Sequence, residues 1–215
     1  MATPHVWDEI AEGWYRLRRH TRFRQELSEM AERWGGGRLL NIGCGHGADF
    51  LPFRGGFQMW GADFSRRLLE LGRSYQREHS FNANLVQAEA GWLPFKDGSF
   101  DWAIAVAVYH HVRGEMARVR AWEELYRVLK PGGEAFVTVW NRGQPRFWLQ
   151  GSEVLVPWRL PNIAVSRYHY LYTYRRIKKA LMGVGFDVVA QFPERRHRMP
   201  FKGLSRNICA LVRRP

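Results

Sequence analysis

Apolar positions along the 215-residue chain change period repeatedly, and these changes mark out its elements. "VWDEIAEGWYRLRR" and "FRQELSEMAERW" repeat apolar residues every three to four positions, which predicts two helices ending at the Gly35-Gly36-Gly37 breaker. "RLLNIG" (38–43) is a short apolar run closed by glycine, as expected of a buried strand, and a helix is expected to start around His46–Phe53. "FQMWGAD" (57–63) predicts a second strand and "SRRLLELGRSYQREH" (65–79) a helix capped by Ser65. "ANLVQAE" (83–89) and "DWAIAVAV" (101–108) predict two more strands. "EMARVRAWEELYRVL" (115–129) has a helical stripe stopped by Pro131-Gly132-Gly133, and "EAFVTVW" (134–140) predicts strand five. A helix near 173–183 and strands at 186–192 and 206–212 close the pattern. Strand and helix alternate, so the expectation is an α/β fold with a largely parallel sheet covered on both faces. Ligands should gather at the carboxyl ends of its strands.

Length changes little in this picture: 215 residues suit one domain with a full core. The domain divides into a helical cap at 1–37, a core at 38–140 and a last section at 141–215. No run approaches the length of a membrane helix, and the N-terminus lacks an apolar signal core. Two cysteines, Cys44 and Cys209, build neither a disulfide framework nor a full zinc site, so no metal site is predicted. The expectation is a protein of a reducing cytoplasm. Charge changes the picture more. Residues 142–215 carry 15 Lys and Arg against 3 Asp and Glu, whereas residues 1–141 are nearly balanced. A segregated, arginine-rich excess predicts a polyanion surface, nucleic acid above all. Its rival is an arginine-rich, heat-adapted surface.

The candidate chemistry starts at "NIGCGHGADF", which follows the first strand. Its glycines permit close approach of backbone to a ligand, and Gly43-x-Gly45-x-x-Ala48 fits a dinucleotide fingerprint with Asp63 at ribose-binding distance. The loop alone leaves a nicotinamide enzyme and a methyltransferase open. The ordered set "GADFS", "AEAGWLPFKDGSFD", "YHHV" and "RVLKPGGEAFVTVW" resembles the class I S-adenosylmethionine (AdoMet)-dependent methyltransferases over residues 38–140. That resemblance implies a Rossmann-like seven-stranded sheet, its last strand antiparallel, with helices on both faces. It implies AdoMet as cofactor. Asp63 and Phe64 would lie at the ribose, Glu89 and Ala90 at the adenine, and Gly43, Cys44, Gly45 and Gly47 along the methionine part. Backbone near Val106 and Ala107 would receive the methionine amine. Asn41 stands where the family commonly has an acidic residue; an amide hydrogen-bonds there but cannot offset the ammonium charge.

Outside that core, "VWDEIAEGWYRLR", "AVAVYHHV", "VTVWNRGQ", "SEVLVPW" and "SRYHYLY" together resemble the wobble-uridine tRNA methyltransferases that esterify 5-carboxymethyluridine at the anticodon. The resemblance implies tRNA as substrate and a small zinc-ribbon activator protein as partner. It maps Arg18, His110 or His111, Glu153, Trp158, Arg167 and Tyr168 to the acceptor pocket. A carboxylate acceptor is ionised at neutral pH and needs no general base. Arg18 and Arg167 would clamp it or a neighbouring phosphate, the imidazoles would orient the base or donate a hydrogen bond, and Tyr168, Tyr170, Tyr172 and Trp158 would stack it. Glu153, the only acid between Arg142 and Phe186, would accept from uracil N–H or orient an arginine. "SRNICAL" and Leu17-Arg18-Arg19 depart from the family's pattern, which leaves another wobble-uridine derivative open as acceptor. Two other readings stand beside this one: a small-molecule C- or O-methyltransferase of the quinone-biosynthesis type, which needs no basic tail, and a non-catalytic AdoMet-binding subunit.

Overall fold

The computed structural model describes residues 4–160, 163–198 and 200–215, so the first three residues of the predicted cap lie outside the described ones. Its main sheet has seven strands: β1 (Gly37–Ile42), β2 (Phe57–Asp63), β3 (Asn84–Gln87), β4 (Phe100–Val106), β5 (Leu129–Trp140), β8 (Asp187–Pro193) and β9 (Asn207–Arg213). They lie in the order β3-β2-β1-β4-β5-β9-β8. Strands β1 to β5 run parallel, and β9 is antiparallel to both its neighbours, β5 and β8. The order reverses between β1 and β4, which opens a crevice at their carboxyl ends.

Both faces of this sheet are covered, which is why its central strands read as unbroken apolar runs. On one face α2 (Arg24–Trp34) and α3 (Arg66–His79) bring Leu27, Met30, Leu69 and Tyr75 against Leu39, Ile104 and Phe136. On the other, α4 (Glu115–Val128) and α5 (Tyr174–Gly183) pack Trp122, Leu125, Ile177 and Leu181 against Leu40, Phe100 and Val137. The expected Ser65 cap is present: its hydroxyl accepts from Leu68 N at 3.1 Å. The same hydroxyl donates to Asp8 of α1 (Pro4–Leu17) at 2.6 Å, and Asp8 also accepts from Arg67 N at 3.1 Å. An acidic side chain at a helix N-terminus satisfies orphan donors and complements the macrodipole. Helix α1 is thereby fixed across the opening of the sheet.

Two expectations need correction. The helix expected from His46–Phe53 is only a six-residue 3₁₀ helix, Ala48–Phe53, because Pro52 lies inside it and offers no N–H to extend an α-helical ladder. The section between β5 and α5, to which the apolar pattern assigns no element, forms a hairpin of β6 (Glu153–Leu160) and β7 (Ile163–Tyr170), paired from Glu153↔Tyr170 to Leu160↔Ile163. Alternation sets its two faces. Arg167 and His169 point toward the crevice, and Tyr168 and Tyr170 point toward Arg118 of α4.

Candidate active site

The loop after β1 turns through three left-handed glycines, Gly43 (φ 64°), Gly45 (φ 54°) and Gly47 (φ 94°). Gly43 has no alternative, since a Cβ there would meet Val108 Cγ2 at 2.4 Å; Gly45 faces open space. Asp63, at the end of β2, holds this loop: its Oδ2 accepts from Gly45 N at 2.8 Å and its Oδ1 from Ser65 N at 2.9 Å. Burial pushes the Asp63 carboxyl up to about 6, against the opposing pull of those two N–H groups. On β4's far side Ala107 takes a left-handed φ of 61°, a strained state for a residue with a Cβ, while its N–H donates to Thr138 Oγ1 at 2.9 Å.

Two cavities open around this loop. One, of about 130 Å³, is bounded by Asp63, Phe64, Glu89, Ala90, Trp92 and Val112. The other, of about 290 Å³, lies under α1 and the hairpin and includes Cys44, Gly45, Val106 and Ala107 in its wall. Gly43 and His111 line both, so they mark the junction. Gly47 supports the loop without lining either cavity, and Asn41 is fully buried in β1. Both atoms of the Asn41 amide lack a partner among the described residues.

The larger cavity is strongly cationic. Arg18, Arg22, Arg146, Arg167 and Arg206 line it, and none forms a salt bridge among the described residues. Burial, then mutual repulsion, lowers the pKa of Arg18, Arg146 and Arg206, and brings Arg167 to about 10. Arg167 is 8% exposed, its Nε has no partner, and its guanidinium lies 4.8 Å from the Trp158 ring centroid. One carboxyl in the wall, Asp49, is half-buried and raised to about 6 by desolvation. Trp14, Trp140 and Trp158 supply flat apolar walls.

Three histidines close the inner end. His110, His111 and His169 offer ring nitrogens within 4.8 Å of one another. Burial holds His110 and His111 well below the ordinary imidazole range and His169 at about 4, so all three are neutral at physiological pH. Trp140 stacks on His169 at 4.1 Å, and Trp7 of α1 meets His111 edge-on at 4.9 Å.

The structure thus brings Arg18, Arg167, His110, His111 and Trp158 together, but not Glu153 or Tyr168. The Glu153 carboxylate lies 3.7 Å from Arg118 with its side chain 54% exposed, and the Tyr168 hydroxyl accepts from Arg118 at 3.1 Å. Both stand on the hairpin's outer flank, as does Tyr170, over whose ring Arg118 sits at 3.8 Å. Tyr172 is buried in the α4 core. The placement of Glu153 and Tyr168 in the acceptor pocket is therefore corrected, and strand alternation is the reason. A half-exposed ion pair contributes little, so Glu153→Gln is expected to change turnover by less than about fivefold in steady-state assays. Sequence reasoning missed Arg22, Arg146, Arg206, His169 and His46. The segregated charge was the only signal for Arg146 and Arg206, and it does not single out side chains; Arg22, His46 and His169 had none. His46, a buried ring in the larger cavity's wall, has no partner at either nitrogen among the described residues.

A largely parallel sheet with this strand order, a glycine loop and an acid at the end of β2 define a nucleoside-cofactor fold. Residues 40–137 match the family model described as "Methyltransferase domain". A relative from Encephalitozoon cuniculi, "Putative methyltransferase ECU09_1500", is 34% identical over 159 residues, 70% of each chain. The chain belongs to the class I methyltransferase family. Among further relatives, "Probable tRNA methyltransferase 9B" of Bos taurus is 34% identical over 155 residues, which are 72% of this chain and 31% of that one. The "tRNA (carboxymethyluridine(34)-5-O)-methyltransferase alkbh8" of Xenopus tropicalis is 35% identical over 135 residues, 63% of this chain and 20% of that one. The chain thus spans a third or less of the length of these two. A solved complex between the Haloferax volcanii Trm112 methyltransferase activator and a methyltransferase superposes with a TM-score of 0.69, covering 100% of this chain and 99% of that one at 16% identity, a likeness of fold.

Proposed function

We propose that this protein transfers a methyl group from AdoMet to a carboxymethyl-type modified wobble uridine in the anticodon loop of tRNA. The observation that carries the reading is the cavity of five arginines, none ion-paired among the described residues, joined to the glycine-loop cavity at Gly43 and His111. Five guanidiniums are more than a neutral small molecule requires, which disfavours the quinone-type alternative; three of the five come from the basic last third.

The residues fit AdoMet. The bare Gly45 leaves room beside the backbone, and Asp63, with two oxygens already oriented by backbone N–H groups, retains lone pairs for two ribose hydroxyls. Unpartnered His46 and Asn41 offer further polar atoms near the methionine part. Bound AdoMet supplies an electrophilic methyl group on a sulfonium.

This chain's own residues do the rest. Arg167 and Arg18 hold the acceptor carboxylate by charge-assisted hydrogen bonds, and Arg22, Arg146 and Arg206 hold flanking phosphates. A carboxylate arrives deprotonated, so the work is alignment and exclusion of water. Trp7 and Trp14 of α1 lie 5.3 Å apart, and Trp14 reaches Trp158 of the hairpin at 5.5 Å, forming a roof that sheds water and gives the extruded base a surface to stack on. Among the described residues no helix is long and apolar enough to cross a membrane; we place the reaction in the cytoplasm with its tRNA. We extend the reading to a small zinc-ribbon activator, in line with the fold shared with the Haloferax volcanii complex. A native pull-down without a small partner removes that extension.

Labelling tRNA that lacks the modification with tritiated AdoMet, followed by nucleoside analysis, tests the main reading. The expected result is label in a single wobble-uridine ester that mild alkali releases. Label in no tRNA nucleoside, with or without the activator, overturns it.

A further inference from the structure

The arginine end of the larger cavity presents hydrogen-bond donors, and Trp158, in the same wall, has a buried indole N–H without a partner among the described residues. Two ring nitrogens differ from this. A carbonyl oxygen only accepts, so His111 Nδ1, 2.9 Å from Tyr168 O, carries a proton, as does His169 Nδ1, 3.0 Å from Arg167 O. In the neutral rings both Nε2 atoms are therefore lone-pair acceptors. His110 has the opposite tautomer. The Trp140 backbone N–H points at its Nδ1 from 3.3 Å, which leaves its proton on Nε2.

The trio thus holds one N–H against two lone pairs. Within the 4.8 Å cluster the three rings cannot supply a donor for both acceptors. His169 Nε2 is buried without a partner among the described residues, and a buried acceptor left so is destabilising. A metal on all three rings is disfavoured by the same bookkeeping, because one His110 nitrogen accepts from backbone and the other bears a proton. What the cluster lacks is a hydrogen-bond donor, and His111, at the junction of the cavities, is where a methyl acceptor would bring one.

We propose that His111, backed by His169, accepts a hydrogen bond from a ring N–H of the acceptor base, and so selects an intact imide such as that of uracil. The assignment rests on the wobble-uridine reading and extends it. The arginines recognise the anionic substituent, and the histidines recognise the base. Tyr168 and Arg167 supply, through their carbonyls, the contacts that fix the two tautomers, and so act as positioning residues.

The test uses full-length protein, with its activator where one is required, and two anticodon stem-loops. One carries 5-carboxymethyluridine at the wobble position; the other carries the same base methylated at N3. Wild-type protein is expected to methylate the second with kcat/KM at least about 100-fold lower, since N3-methylation removes the donor that His111 Nε2 would accept and puts a methyl group in its place. His111→Ala is expected to lower kcat/KM on the first stem-loop by about 10- to 100-fold and to shrink the discrimination to less than about fivefold. His111→Gln, which can present an amide oxygen, is expected to recover most of both. Equal use of the two stem-loops by wild-type protein overturns this assignment alone, as does stoichiometric zinc in the purified protein that is lost in His169→Phe. Use of neither overturns the tRNA reading and this assignment together.

Discussion

Arg167→Met is expected to lower kcat/KM for tRNA methylation by about 100-fold while leaving the free protein at least as stable as wild type. Both halves follow from one arrangement. Arg167 is buried, its Nε is unpartnered, and the charges nearest to it, Arg18 and Arg206, share its sign. Methionine keeps the unbranched stem that packs between Trp14 and Trp158, so the loss falls on the charge. In the free protein that charge is desolvated and repelled, and its removal is relief. In the proposed complex it would be the counter-charge to a carboxylate, and a charge-assisted hydrogen bond in a desolvated site contributes about 1.5–3 kcal/mol. The measurements are a thermal melt without ligand and steady-state kinetics with tRNA. A Tm several degrees below wild type would show Arg167 to be part of the fold's own support, and unchanged kinetics would remove it from the site. Arg167→Lys is expected to retain charge but lose the fork, and with it about tenfold in kcat/KM.

How far the sequence could lead is set by which contacts are local. The strands of the core were legible because a sheet covered on both faces demands continuous apolar runs, as in "RLLNI" and "AIAV". The glycine loop was legible because its conformational needs are met within one turn of chain, and Asp63 because it ends the strand that follows at the spacing of a dinucleotide fingerprint. The hairpin was only partly legible. Its β6 contains Pro157, a residue that argues against an internal strand but is tolerated in a two-stranded sheet. Once the hairpin's register was unknown, so was the side on which each residue stood. "SRYHYLY" offers alternating choices, and a shift of one position exchanges Arg167 and His169 for Tyr168 and Tyr170. The same uncertainty put Glu153 at the acceptor, where the structure instead gives its carboxylate to Arg118. Arg146 and Arg206 were illegible for another reason. They flank β5 and β9, strands that pair antiparallel although some 60 residues separate them in sequence, and only that pairing brings both guanidiniums over Trp140, at 4.8 and 5.6 Å.

The second large effect concerns the cofactor side and has a pH signature. Asp63→Asn is expected to weaken AdoMet binding by about 100-fold, because in the proposed complex the carboxylate, oriented by Gly45 and Ser65, would accept from two ribose hydroxyls. An asparagine would turn an N–H toward one of those backbone donors. In the wild-type protein the same carboxyl, raised by burial to about 6, is ionised above that value and protonated below it. The form that binds is the ionised one, so affinity is full above about pH 7 and declines as pH falls through 6, approaching a tenfold rise in Kd per pH unit. The sign for folding is the reverse. A carboxyl whose pKa is higher in the folded state than in the unfolded chain binds protons preferentially when folded, so its contribution to stability falls as pH rises from about 4 to 6. Acidification between pH 7 and 5 should thus spare this group's part in the fold while it removes cofactor affinity. Asp8 and Asp49 bear on the same range. Asp8 adds to the rise at Asp63, and Asp49 titrates near 6 itself, but in the wall of the arginine cavity. Calorimetric titration of AdoMet at several pH values separates them: in Asp63→Asn the residual affinity should lose most of its pH dependence. If the variant keeps the wild-type slope, the titrating group is Asp49 and the ribose assignment of Asp63 is wrong.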